Sequence, residues 1–122
     1  MNTIENNKLI AEFMGIKTTN GIVFQDANTN EFHTIKYHES WDWLMPVVEK
    51  INLLDDYRYT VYIASMDTRI EDNITGDVVV DIDCKHSIDE LIRSVYEAVV
   101  EFINQYNIQE EIENNMFHDF DR

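Results

Sequence analysis

A single cysteine, Cys84, rules out an intrachain disulfide and points to a reducing compartment. With one proline and three glycines, the turns fall to Asn and Asp, which hydrogen-bond their own backbone and tolerate left-handed geometry. Three isolated glycines cannot build a phosphate-cradling loop. No run approaches the roughly 18 apolar residues of a membrane span. The start, Met1-Asn2-Thr3-Ile4-Glu5, has neither the basic nor the apolar stretch of a signal peptide. Positive charge is scarce as well: 9 Lys+Arg stand against 24 Asp+Glu, a formal net charge of -15. Such a surplus repels nucleic acid and anionic membranes, attracts basic grooves or cations, and opposes compaction. The expectation is a cytoplasmic protein that needs no cofactor and touches neither nucleic acid nor membrane directly.

The composition is nevertheless that of a folded protein. Apolar residues make up 44% and aromatics 11% of the 122 residues, enough for one core and too little chain for two. Leu9, Ile10, Phe13 and Met14 share a helical face, so a first helix is expected over Ile4–Met14, capped by Thr3 and ended by Gly15. Ile22-Val23-Phe24 and Phe32–Tyr37 read as a hairpin around the Asp26–Asn30 loop. Ser40 is placed to cap a second helix carrying Leu44, Val47, Val48, Ile51 and Leu54, with Pro46 near its start.

From Tyr57 the period changes to two. Tyr59–Ala64, Thr68–Glu71 and Asp77–Asp83 read as strands, with Asp72–Gly76 as a turn. Alternation in the last strand places Val78, Val80 and Ile82 on one face and Asp77, Val79, Asp81 and Asp83 on the other. Ser87 and Glu90 form a capping box before a stripe running from Ile88 through Val95, Val99, Phe102 and Ile103 to Tyr106. Beyond Asn107 an acidic tail or short helix is expected, with Ile112, Met116, Phe117 and Phe120 able to dock or meet a partner. The order predicts an α+β domain over 1–107, a largely antiparallel sheet packed on about three helices, followed by an acidic segment over 108–122.

No catalytic constellation stands out, and the chain does not read as an enzyme. Asp81, Asp83, Cys84 and His86 crowd one strand end, but zinc sites need two separated ligand pairs and only one half is present. Asp83-Cys84-Lys85 matches the end of a nuclease motif, and a metal-dependent hydrolase would use Asp81, Asp83, Lys85 and His86. The surplus of carboxylates would repel a nucleic-acid substrate. His33, His38, His86 and His118 follow no ligand spacing.

What remains is where the acid lies. Asp55–Asp83 contains eight acids against two bases, and Ser87–Glu113 seven against one. The candidate partner-binding residues are Asp55, Asp56, Glu71, Asp72, Asp77, Asp81 and Asp83, with Glu110, Glu111 and Glu113. Such a surface suits entry into a basic, nucleic-acid-binding groove. The plain alternative is an accessory or structural protein whose acidity serves solubility alone.

Three segments carry a resemblance: Lys8–Gly15, Tyr37–Ile51 with its Trp41-Asp42-Trp43-Leu44-Met45-Pro46-Val47-Val48 run, and Val95–Ile103. Together they resemble a family of small proteins carried by phages and prophages of Bacteroidetes. The resemblance implies origin in a mobile element and, for a small acidic protein, an inhibitor of host defence such as an anti-CRISPR protein. RNA-targeting CRISPR effectors, with their basic guide channels, are the implied target class. The matched segments read as scaffold, so function is expected in the acidic strands and the C-terminal segment.

Overall fold

A computed structural model describes residues 2–65, 67–83 and 88–120, with side chains from 90 to 114 in the last stretch. The chain runs α1 (Thr3–Phe13), β1 (Val23–Gln25), β2 (Phe32–Thr34), α2 (Trp41–Tyr57), β3 (Tyr59–Ile63), β4 (Asp67–Asp72), β5 (Val78–Asp83) and α3 (Ile88–Phe120). β1 and β2 form a two-stranded antiparallel hairpin, and β3-β4-β5 a three-stranded antiparallel meander. This is the α+β class that the order of elements implies, with two small sheets in place of one.

The ends of α1 differ from expectation by one residue. Asn2, not Thr3, caps α1, its side-chain oxygen accepting from the Glu5 N–H at 3.2 Å. Gly15 does take the left-handed conformation after the helix, at φ +76°. α1 has no base in its last turn. Lys50 of α2 supplies one from outside, donating to the Phe13 carbonyl with its ammonium 4.5 Å from the Phe13 ring centre. Ser40 sits at the N-cap of α2, but its side chain makes no capping bond.

α2 and α3 cover the inner face of the meander, and α1 packs on α3. Ile10, Leu44, Val47, Ile51, Ile70, Val95, Val99 and Ile103 form the sealed centre of the core. Ile103→Ala leaves a cavity beneath the sheet. It is expected to destabilise the protein by about 2–5 kcal/mol, read as a lower urea midpoint at unchanged m-value.

A buried polar knot ties α1 to α3. The Tyr96 hydroxyl of α3 donates to Asn7 Oδ1 of α1 at 2.9 Å, and Asn7 Nδ2 lies 3.0 Å from His38 Nδ1. Burial raises the Tyr96 hydroxyl to about 12, so it stays a donor at any ordinary pH. Tyr96→Phe leaves Asn7 Oδ1 without that donor and is expected to cost about 1 kcal/mol, measured by denaturant unfolding.

Two irregularities shape the functional surface. At Ile70/Glu71 the β4–β5 register slips, so that Ile70 faces Val80 while Glu71 faces Val78, leaving Val79 as the bulged residue. The bulge inverts the expected alternation upstream of it: Val78 is exposed, whereas Val79 packs on the core. The second irregularity ends α2. The break falls not at Pro46 but at Leu54–Asp56, with Asp55, Asp56 and Tyr57 at φ +49°, +61° and +65°. Three consecutive left-handed residues without a glycine carry strain. Asn73 holds the turn, its backbone N–H donating to the Arg58 carbonyl at 2.7 Å and its side chain to the Tyr57 carbonyl at 3.0 Å.

Among the described residues the acidic segment expected from 108 is helical and continuous with α3 as far as Phe120. α3 continues through Asn107 as one helix of 33 residues, and every residue from Asn107 to Asn114 is exposed.

Candidate functional site

Strand alternation sorts β4 into two rows. Thr68, Ile70 and Asp72 point inward, while Asp67, Arg69 and Glu71 point outward. The register adds Asp83 opposite Asp67, Asp81 opposite Arg69 and Val78 opposite Glu71, with Tyr62 on the other flank of Arg69. The outer face thus gathers Asp67, Glu71, Asp81 and Asp83 around one cation.

Neighbouring strands lie about 4.8 Å apart and alternate residues about 6.6 Å apart, so these carboxylates crowd each other. Arg69 is shared among them: Nε lies 3.4 Å from Asp67 and Nη2 3.9 Å from Glu71, with the guanidinium 5.6 Å from the Tyr62 ring centre. One base does not neutralise four acids. Desolvation first, then a hydrogen bond shared with Asp67 and the charges of Asp67 and Asp83, push the Asp81 carboxyl above the usual range, with Arg69 pulling the other way. Like charges opposed across a ladder destabilise a sheet. This face is held together against its own repulsion.

A second acidic feature lies at the far end of the meander, where α3 overhangs the end of α2. A groove of about 460 Å³ is lined by Asp55, Arg58, Tyr59, Phe102, Tyr106, Glu110 and Glu113 among others. Its inner wall is aromatic: the Tyr59 and Phe102 rings meet edge to face at 4.9 Å, and Phe102 stacks on Tyr106 at 5.8 Å. Burial, then the charges of Asp55 and Glu110, push the Tyr106 hydroxyl up to about 12.

Asp72 closes the floor. Only 4% exposed, its Oδ2 accepts from Arg58 Nη2 at 2.8 Å and Nε at 3.1 Å, and its Oδ1 from the Ile74 N–H at 2.9 Å and the Thr75 N–H at 3.3 Å. The bonds to Arg58 first, then those to the turn amides, hold its carboxyl down at about 2.

The ten acids singled out by sequence therefore separate. Glu71, Asp81 and Asp83 meet on the outer sheet face. Asp55, Glu110 and Glu113 meet at the groove. Asp56, Asp77 and Glu111 stand exposed in neither group, since the bulge parts Asp77 from the row that Asp81 and Asp83 share. Asp72 is turned inward and spent on Arg58 and its own turn. Asp67 belongs to the outer face and was missed. The signal for it was the same alternation, since Asp67, Arg69 and Glu71 are spaced two apart. Cys84, Lys85 and His86, on which the metal and nuclease readings depend, lie outside the described residues, as does Ser87 of the capping box. The side chains of Met116, Phe117 and Phe120 lie outside them too. Among the described residues no group of three or more His, Cys, Asp or Glu is arranged to hold a metal ion, and no helix is long and apolar enough to cross a membrane.

No family model matches the chain, and neither a curated protein nor a solved structure does.

Proposed function

We propose that this chain is an acidic binding protein, carried by a phage or prophage, that inhibits a host defence nuclease or another nucleic-acid-binding effector by covering its basic surface. An RNA-targeting CRISPR effector is the favoured class of target. The observation that carries the reading is the outer sheet face, where Asp67, Glu71, Asp81 and Asp83 surround a single Arg69. Those carboxylates gain nothing for the fold by their proximity. They gain most from a dense array of cations, as lines the path of a nucleic-acid backbone.

The sheet also presents them pre-arranged. Two antiparallel ladders fix the spacing, so little ordering accompanies contact with a partner. Such clustering favours binding over a role in which acidity serves solubility alone, for which scattered carboxylates would suffice.

Capture from host lysate on the immobilised chain, followed by elution with added RNA, tests the reading. Nucleic-acid-binding proteins with basic surfaces should be retained and then displaced by the RNA or, separately, by added salt. Retained proteins that ignore both RNA and salt would refute it.

A further inference from the structure

We propose that the groove beneath the overhang of α3 is a socket for an arginine side chain presented by a partner protein. The inference rests on the reading of this chain as a binder of basic proteins, but it concerns a surface separate from the outer sheet face.

The socket arises from a change of chemistry along one helix face. The core-facing stripe of α3 is apolar through Val95, Val99, Phe102, Ile103 and Tyr106. One turn further the same face carries Glu110, and then Glu113. The helix has by then run past the sheet, so these carboxylates face the left-handed turn at Asp55 across an open groove rather than a core. Among the described residues no lysine or arginine forms an ion pair with Asp55, Glu110 or Glu113. Their hydrogen-bond partners are neutral, with Gln109 Nε2 donating to Glu113 Oε1 at 3.3 Å and the Tyr106 hydroxyl bonding to Glu110, so no ion pair among the described residues offsets their charge.

The groove already shows what it accommodates. Arg58 lies along its floor with the guanidinium 5.4 Å from the Tyr59 ring centre and two nitrogens on Asp72. That pair is internally neutral, and it leaves three carboxylates and the rings of Phe102 and Tyr106 for a second cation of the same kind. A volume of about 460 Å³ is ample for such a side chain. A planar guanidinium can stack on an aromatic wall and fork onto carboxylates at once, which an ammonium cannot do as well. Charge excludes the other occupants: a second copy of a chain at -15, an acidic peptide and a nucleic acid are all repelled.

The test is an NMR titration with a blocked tetrapeptide carrying two central arginines, beside the same peptide with uncharged citrullines. The arginine peptide should shift the ring resonances of Tyr59, Phe102 and Tyr106 and saturate, and the citrulline peptide should not. A triple variant Asp55→Asn/Glu110→Gln/Glu113→Gln should bind about tenfold more weakly. Asparagine tolerates the left-handed backbone at 55, and Glu113→Gln alone offers a milder version at an exposed site. Glu39→Gln/Glu49→Gln, two exposed positions on neither acidic surface, should leave the titration unchanged. Equal shifts with citrulline, or undiminished binding by the triple variant, would overturn the socket. If either occurs while capture through the sheet face persists, the socket fails and the proposed function stands.

Discussion

Asp72→Ala is expected to lower the thermal midpoint by roughly 10 °C at neutral pH, the largest effect of any single loss of charge among the described residues. The substitution removes four hydrogen bonds at one buried position. It strands the Arg58 guanidinium and leaves the Ile74 and Thr75 N–H groups without an acceptor. It also loosens the turn that Asn73 holds against the left-handed run at Asp55–Tyr57. Asp72→Asn keeps an acceptor for the turn and should cost less.

The same carboxyl dictates the acid limb of stability. Its pKa is lowered to about 2 by Arg58 and the turn amides. A depressed carboxyl stabilises the fold while ionised, so its contribution is complete above the unfolded-state value of about 4 and disappears as pH falls from there through about 2. Asp81 has the opposite sign. Its raised pKa means that its ionised form opposes folding, and protonation relieves the outer face. Lowering the pH from 7 should therefore first raise the urea midpoint and then reduce it below about pH 4. A midpoint that declines steadily from neutrality would contradict the repulsion ascribed to the outer face.

The second large effect is on binding. Asp81→Lys/Asp83→Lys should weaken partner capture by at least about tenfold while leaving the domain folded. Both side chains are exposed; Asp83→Lys sets a cation opposite Asp67 and Asp81→Lys sets one opposite Arg69, so the two changes offset and the thermal midpoint should hold. Asp77→Lys/Glu111→Lys makes the same change in total charge at two exposed positions outside the face. Capture should survive it. If both pairs weakened capture equally, net charge and not the sheet face would be responsible.

Sequence patterning revealed the fold more readily than the site. Period-two and period-3.6 stripes locate the helices and strands because burial repeats at those spacings, as the stripe from Val95 to Tyr106 does. What patterning does not contain is the strand partner. Asp67 joins the acidic face because β5 places Asp83 opposite it, and Asp77 leaves it because a bulge at Val79 shifts the count by one. Asp72 looked like its neighbours in an acidic run. Only the return of Arg58 at the end of α2 shows that it serves the fold. Likewise Glu110 and Glu113 read as a tail because the apolar stripe ends at Tyr106, although no glycine or proline stops α3 at Asn107, and only the position of the Asp55 turn beneath them makes a groove.

The most direct measurement is RNA binding by a captured effector, followed by fluorescence anisotropy as the chain is titrated in. If the outer face covers the nucleic-acid path, RNA is released in step with complex formation, and Asp81→Lys/Asp83→Lys releases none. An effector that holds both the chain and its RNA, with the affinity for RNA unchanged, would contradict it.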